Sequence, residues 1–179
     1  GAQSGAKTVT PRYQGPKWYV AASDGKSLSD TTTNYDLGSS SSPINHLSNG
    51  IEIAAAGDTI VMMKGTHTGS NNRGINENGN KSFIIMGDPD YSADQTIIDA
   101  GARDRHFTFD NNEDTTYQII GLTLYNGKTT SSGGGSIKIE SAAVKLKNVI
   151  FKENYSTGEN WSTSGAVFIS NNGKTIIDG

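Results

Sequence analysis

The sequence predicts an all-β fold: a parallel β-helix, a solenoid of stacked coils with a short capping helix at its N-terminal end. Three observations predict it. From Thr59 onward the chain is a succession of apolar, β-branched runs of three to six residues, punctuated by Gly, Asn, Asp and Ser. Those runs recur at spacings close to 30 residues, the mark of a repeat architecture. Ser, Thr, Asn and Gly supply 76 of the 179 residues and charged residues only 18%, so turn formers are abundant and helix-forming runs scarce.

In chain order, residues 1–16 mix Gly, Ser, Thr and Pro without periodicity and read as a loose leader. Residues 17–58 read as a cap. Trp18-Tyr19-Val20-Ala21-Ala22 is its strand, and residues 23–43 are a polar loop. Residues 44–56 then set Ile44, Leu47, Ile51 and Ala55 on one face at steps of three and four, a short amphipathic helix that Gly50 weakens and Gly57 stops. The coils occupy residues 59–179, starting with Thr59-Ile60-Val61-Met62-Met63 and Ser82-Phe83-Ile84-Ile85-Met86.

Three strand series emerge when the chain is slid along itself. His106-Phe107-Thr108-Phe109, Ser136-Ile137-Lys138-Ile139 and Ala166-Val167-Phe168-Ile169 are 30 and 30 residues apart. Thr96-Ile97-Ile98, Tyr117-Gln118-Ile119, Val144-Lys145-Leu146 and Thr175-Ile176-Ile177 form a second series, and Gly121-Leu122-Thr123-Leu124 with Asn148-Val149-Ile150-Phe151 a third. Each coil thus gives one strand to each of three sheets and buries its inner face by stacking on its neighbours. Alternation predicts Phe107, Ile137, Val167 and Phe109, Ile139, Ile169 as inward rows, with Thr108, Lys138 and Phe168 as an outward column. The run Thr175-Ile176-Ile177 has no polar capping element after it, so the solenoid is expected to be cut short there, continued by further coils or by end-to-end self-association.

Certain motifs carry a resemblance. Gly133-Gly134-Gly135-Ser136-Ile137 and Ser164-Gly165-Ala166-Val167 resemble the Gly-Gly-Ala-Ile motif, and Phe151-Lys152-Glu153-Asn154 the Phe-x-x-Asn motif, of polymorphic outer-membrane-protein type repeats in bacterial surface proteins. Trp18-Tyr19-Val20, Ala55-Ala56-Gly57-Asp58-Thr59-Ile60-Val61 and Lys64-Gly65-Thr66-His67 are similar to the capped start of right-handed β-helices of the pectate-lyase-like superfamily. The second glycine motif has one Gly rather than two, and Leu124-Tyr125-Asn126-Gly127 lacks both Phe and the spaced Asn. The resemblance implies right-handed coils and a secreted or surface-displayed bacterial protein. The motif residues themselves have structural roles: glycine admits sharp turns into a strand, and Asn154 can bond exposed backbone where a coil turns.

The composition excludes several function classes. Net charge is −3, and no Lys/Arg cluster exceeds two, so the basic footprint of a nucleic-acid binder is missing. No apolar run reaches the length of a membrane span. Without cysteine there are no disulfides, thiolate zinc sites or cysteine nucleophiles. His46, His67 and His106 lack metal-ligand spacing and read as surface or loop residues.

The densest ionisable cluster is Asp99, Arg103, Asp104, Arg105 and His106. In polysaccharide lyases of this fold an Arg or Lys base works beside acidic groups, which makes Arg103, Arg105 and Asp99 the catalytic candidates should they face one groove. The bland alternative is a loop of paired opposite charges. Asp110, Asn112 and Asp114 place oxygens at alternate positions, a partial calcium loop, and calcium is the one cofactor left open. Lys138, Phe168 and Lys145 suggest a surface where an aromatic ring and cations meet an acidic glycan. The expected function is a non-enzymatic stalk or adhesive scaffold that binds polysaccharide or cell-surface glycan. The alternative is a fragment of a carbohydrate-active enzyme, a lyase or pectin-esterase relative acting on acidic polysaccharide.

Overall fold

The computed structural model describes residues 12–29, 35–79, 81–110, 116–131, 133–158 and 163–179. The expected leader therefore lies largely outside the described residues. The rest is a parallel β-solenoid with one short helix near its N-terminal region. After β1 (Lys17–Val20) and α1 (Leu47–Ile53), the chain circles through β2 (Thr59–Met62), β3 (Gly65–His67) and β4 (Ile75–Glu77). The circuit recurs as β5 (Ile84–Gly87), β6 (Thr96–Asp99) and β7 (Phe107–Asp110). It recurs again as β8 (Thr116–Ile120), β9 (Thr123–Tyr125) and β12 (Ile137–Glu140), then as β13 (Ala143–Lys147), β14 (Ile150–Lys152) and β17 (Val167–Ser170). Finally β18 (Lys174–Asp178) returns to the first sheet. Extra turns carry β10 (Lys128–Thr129), which pairs with β15 (Tyr155–Ser156), and β11 (Gly133–Gly134), which pairs with β16 (Thr163–Ser164).

All these pairings are parallel, and they build a first sheet ordered β1-β2-β5-β8-β13-β18, a second ordered β3-β6-β9-β14 and a third ordered β4-β7-β12-β17. In the third sheet Phe107, Ile137 and Val167 are in register, as are Phe109, Ile139 and Ile169, the rows expected from the sequence. Tyr117, Val144 and Thr175 align in the first sheet, and Thr123 with Ile150 in the second. One assignment is corrected. Thr96-Ile97-Ile98 belongs to the second sheet, where Ile97 pairs with Thr123 and Thr66, and not with Tyr117. Every inward position wants the same β-branched apolar residue, so the likeness of Thr96-Ile97-Ile98-Asp99 to Thr175-Ile176-Ile177-Asp178 carries no information about which sheet a run joins.

The interior is a column of these rows. Trp18, Ile60, Ile85, Ile119, Leu146 and Ile177 stack through the first sheet, and His67, Ile98, Leu124 and Phe151 through the second. Phe107, Phe109, Tyr117 and Phe83 form a chain of aromatic contacts across the core, with centroids 5.5, 4.6 and 5.1 Å apart. His67 and His106 are buried, at 1% and 0% exposed, which corrects their reading as surface residues.

Sharp corners are made by residues in the left-handed region, and they recur in the same places on successive coils. Gly121 and Asn148 follow β8 and β13, Asn126 and Glu153 follow β9 and β14, and Ser141 and Asn171 follow β12 and β17, all with φ between 50° and 62°. Left-handed residues at the corners, with Asn171 followed by a second one at Asn172, turn the chain without breaking the ladder, and Gly and Asn occupy most of these positions at small steric penalty.

Helix α1 is shorter than the periodicity predicts, seven residues rather than 44–56. It lies against β1 and β2, with Leu47 and Ile51 buried. A Cβ at Gly50 would sit 3.0 Å from Ile60 and 3.1 Å from Val20, so the glycine that lowers helix propensity permits the close approach. The ends are capped by distant residues: Leu47 N–H donates to Asn72 Oδ1 at 2.8 Å, and Lys81 Nζ donates to the carbonyls of Ile51 and Ala54. Asp58 ties the cap to the first coil, its carboxylate accepting from Trp18 Nε1 and Ala55 N, both at 2.8 Å.

Candidate functional site

Outward positions of the third sheet place Asn76, Thr108 and Lys138 side by side in register. Beside them pass two turns, residues 102–105 leading into β7 and residues 128–131 on the next coil. Together they enclose an open groove of about 470 Å³, lined among others by Arg103, Asp104, Arg105, Lys128, Thr130 and Lys138. The outward column and the ionisable cluster, separate features in the sequence, are the floor and wall of this groove.

Arg105 is its most tightly held cation. The residue is 7% exposed, and its Nη2 donates to Thr129 Oγ1 at 2.8 Å and Ser131 Oγ at 3.1 Å. Burial lowers the pKa of its guanidinium, while Asp104 and Glu140 act in the opposite sense, and the group stays charged. Gly133 makes room for it: a Cβ there would lie 2.9 Å from Arg105 Nη1 and 3.3 Å from the Lys138 stem. The triglycine is therefore a packing device beneath two cations. Lys138 Nζ is fixed by Glu140 Oε2 at 2.7 Å, and Lys128 Nζ lies 5.5 Å from the centre of the Tyr155 ring. Asp104 is committed to the turn, its Oδ1 accepting from Arg105 N at 2.8 Å.

Behind the wall His106 fills the corner between the second and third sheets. Nε2 faces the carbonyls of Ile98 at 2.9 Å and Tyr125 at 3.1 Å, so it carries the proton; Nδ1 accepts from Ser136 Oγ at 2.9 Å. Burial lowers its pKa to about 4, against the two carbonyl bonds and the charges of Asp99 and Asp104. This Ser-His pair is wholly buried, and its role is to hold the corner. Asn154 completes the same corner: Oδ1 accepts from Gly127 N at 2.7 Å and Nδ2 donates to Leu124 O at 2.8 Å, the backbone role read from its motif. A Cβ at Gly127 would lie 2.7 Å from Asn154 Oδ1 and 2.9 Å from His106 Nδ1, which explains why that coil has Gly where the next has Asn.

The structure divides the sequence candidates. Arg103 and Arg105 share the groove, but Asp99 does not line it; its Oδ1 accepts from Gly101 N at 2.7 Å and shapes the turn. Phe168 is the in-register neighbour of Lys138, half-buried and beside the groove. Lys145 points outward from the first sheet between Gln118 and Ile176, away from both. Asp110 ends β7 and lines a shallow depression with Asn76, Glu77, Asn78 and Thr108. Asn112 and Asp114, the other members of the suggested calcium loop, lie outside the described residues. Among the described residues no three acidic or His side chains gather to hold a metal ion.

Lys128, Thr129, Thr130, Ser131 and Asn76 were not singled out in the sequence. Strand register could have found Asn76, which pairs with Thr108 from one side as Lys138 does from the other; nothing in the hydrophobic period marks the four turn residues. No helix among the described residues is long and apolar enough to cross a membrane. Compared with models of known protein families, with curated proteins and with solved structures, the chain finds no match.

Proposed function

We propose that this chain is a non-enzymatic scaffold, a length of β-solenoid stalk that extends by stacking and belongs to a secreted or surface-displayed bacterial protein. One observation carries the reading. Along the row Trp18, Ile60, Ile85, Ile119, Leu146, Ile177 the exposures are 5, 0, 0, 0, 1 and 68%. Only the last residue lacks a coil above it, and Ile169 ends its own row at 42% exposed. The apolar residues exposed on this coil and the unpaired edge of β18 suit pairing with a second copy of the chain. Right-handed winding belongs to the same reading, since crossovers between parallel strands are right-handed in nearly all sheets. Sedimentation over a concentration series tests it. The wild-type chain is expected to associate and Ile177→Lys to remain monomeric; a wild-type chain that is monomeric at every concentration overturns end-to-end stacking.

A second reading, a polysaccharide lyase, is favoured by the convergence of Arg103 and Arg105 on one groove. Release of unsaturated products from acidic polysaccharides, followed by ultraviolet absorbance and lost in Arg103→Ala, would establish it.

A further inference from the structure

We propose that the groove between the third sheet and the turns at 102–105 and 128–131 is an oxyanion-binding site for a hydrophilic, sugar-sized anion, with Arg105 as its anchor. The charge balance is the first argument. Arg103, Arg105, Lys128 and Lys138 line the groove against Asp104, and Glu140 pairs with Lys138, so among the described residues four cations meet two carboxylates. Two positive charges remain in excess on a chain whose net charge is −3. The local excess attracts an anion to the groove, on the side away from the adjoining Glu77 and Asp110.

The second argument is preorganisation. The Arg105 guanidinium is oriented by two hydroxyls and packed over Gly133, and Lys138 is held by Glu140. Cations fixed before binding lose little side-chain entropy on meeting an oxyanion, unlike lysines waving in solvent. The third argument is the character of the lining. Among the described residues no aromatic side chain lines the groove, and Thr108, Thr130 and Asn76 add hydroxyl and amide groups around the cations. Such a lining suits a polyol bearing an acidic group and does not suit an apolar ligand or a stacked base. Carboxylate, sulfate and phosphate esters share this chemistry, and the probes below separate them. The site is independent of how the coils stack.

The experiment is titration of the full chain with glucose phosphate, glucose sulfate, glucuronate and unsubstituted glucose at low and moderate salt, followed by amide NMR and calorimetry. At least one of the three anionic sugars is expected to bind, shifting the amides of Arg103, Asp104, Thr130, Ser131 and Lys138, and the tightest identifies the oxyanion. Arg103→Ala with Lys128→Ala is expected to weaken that binding by about tenfold or more with the fold unchanged. Arg105→Lys, which keeps the charge and loses the fork, is expected to weaken it while the far-ultraviolet spectrum is retained. As a control, Lys64→Ala with Lys152→Ala removes two cations elsewhere and should leave affinity unaltered. Absence of binding by all three anionic sugars overturns the proposal. Equal binding of unsubstituted glucose, or an equal loss in the control variant, overturns it too, the latter marking only a diffuse surface charge.

Discussion

At residue scale, His106 couples a buried corner to pH. Its ring is held neutral, with Nε2 donating to backbone carbonyls and Nδ1 accepting from Ser136, and its pKa falls to about 4 from the ordinary value near 6.5. As pH falls from about 6.5 to about 4, the unfolded chain takes up a proton that the native chain refuses, so stability is complete above this window and declines across it. The loss is up to about 3 kcal/mol. His67, also lowered by burial, adds in the same direction. His106→Gln keeps a donor and an acceptor without titrating. Urea unfolding at pH values across the window should show a flatter decline than in the wild-type chain, by close to one proton. An unaltered decline would place the acid sensitivity elsewhere.

At the scale of elements, α1 is too short to stand alone, since a helix of two turns scarcely repays its nucleation. Its stability comes from Asn72 and Lys81, which lie on later coils and satisfy its end groups. Lys81→Met is expected to lower stability by about 1–2 kcal/mol and to speed hydrogen exchange at the α1 amides first. Strands, by contrast, depend on their place in the stack. Phe109 is fully buried between Phe107 and Tyr117, whereas Ile169, in the same row, is 42% exposed on the outermost strand of the third sheet. Phe109→Ala should cost about 3–5 kcal/mol and Ile169→Ala less than about 1 kcal/mol. Similar losses by chemical denaturation would show that the outermost coil is covered in solution, which is also what the stalk reading requires.

For the whole molecule, the two ends of the solenoid differ. At the N-terminal end Trp18, β1 and α1 cover Ile60 and the edge of β2; at the other, Ile177 and β18 are uncovered. Deleting residues 17–57 removes the cover and leaves an apolar first coil with open backbone groups, so the product is expected to aggregate, as judged by light scattering. A soluble, folded monomer would mean that the coils are self-sufficient and the cap serves another purpose.

The periodic part of this protein was legible because it is local and repeated. Inward rows such as Phe107, Ile137 and Val167 are a fixed alternation recurring every 30 residues, and stacking is the single arrangement that buries all of them. Asn154, whose motif does not repeat in the preceding coil, announced its backbone role by side-chain chemistry, an amide able to donate and accept at a turn. Sheet membership of the Thr96 run was not legible, because its composition suits an inward position in any sheet and its neighbours are set by turns of unequal length. The groove was legible only in halves. Arg103, Arg105 and Lys138 stood out as charges, yet their convergence with Lys128 and Ser131, and the burial of His106 behind them, depend on which turns one coil lays over the next. That juxtaposition is decided by the tertiary stack, since turns insulated from the hydrophobic period carry no pattern of their own to read.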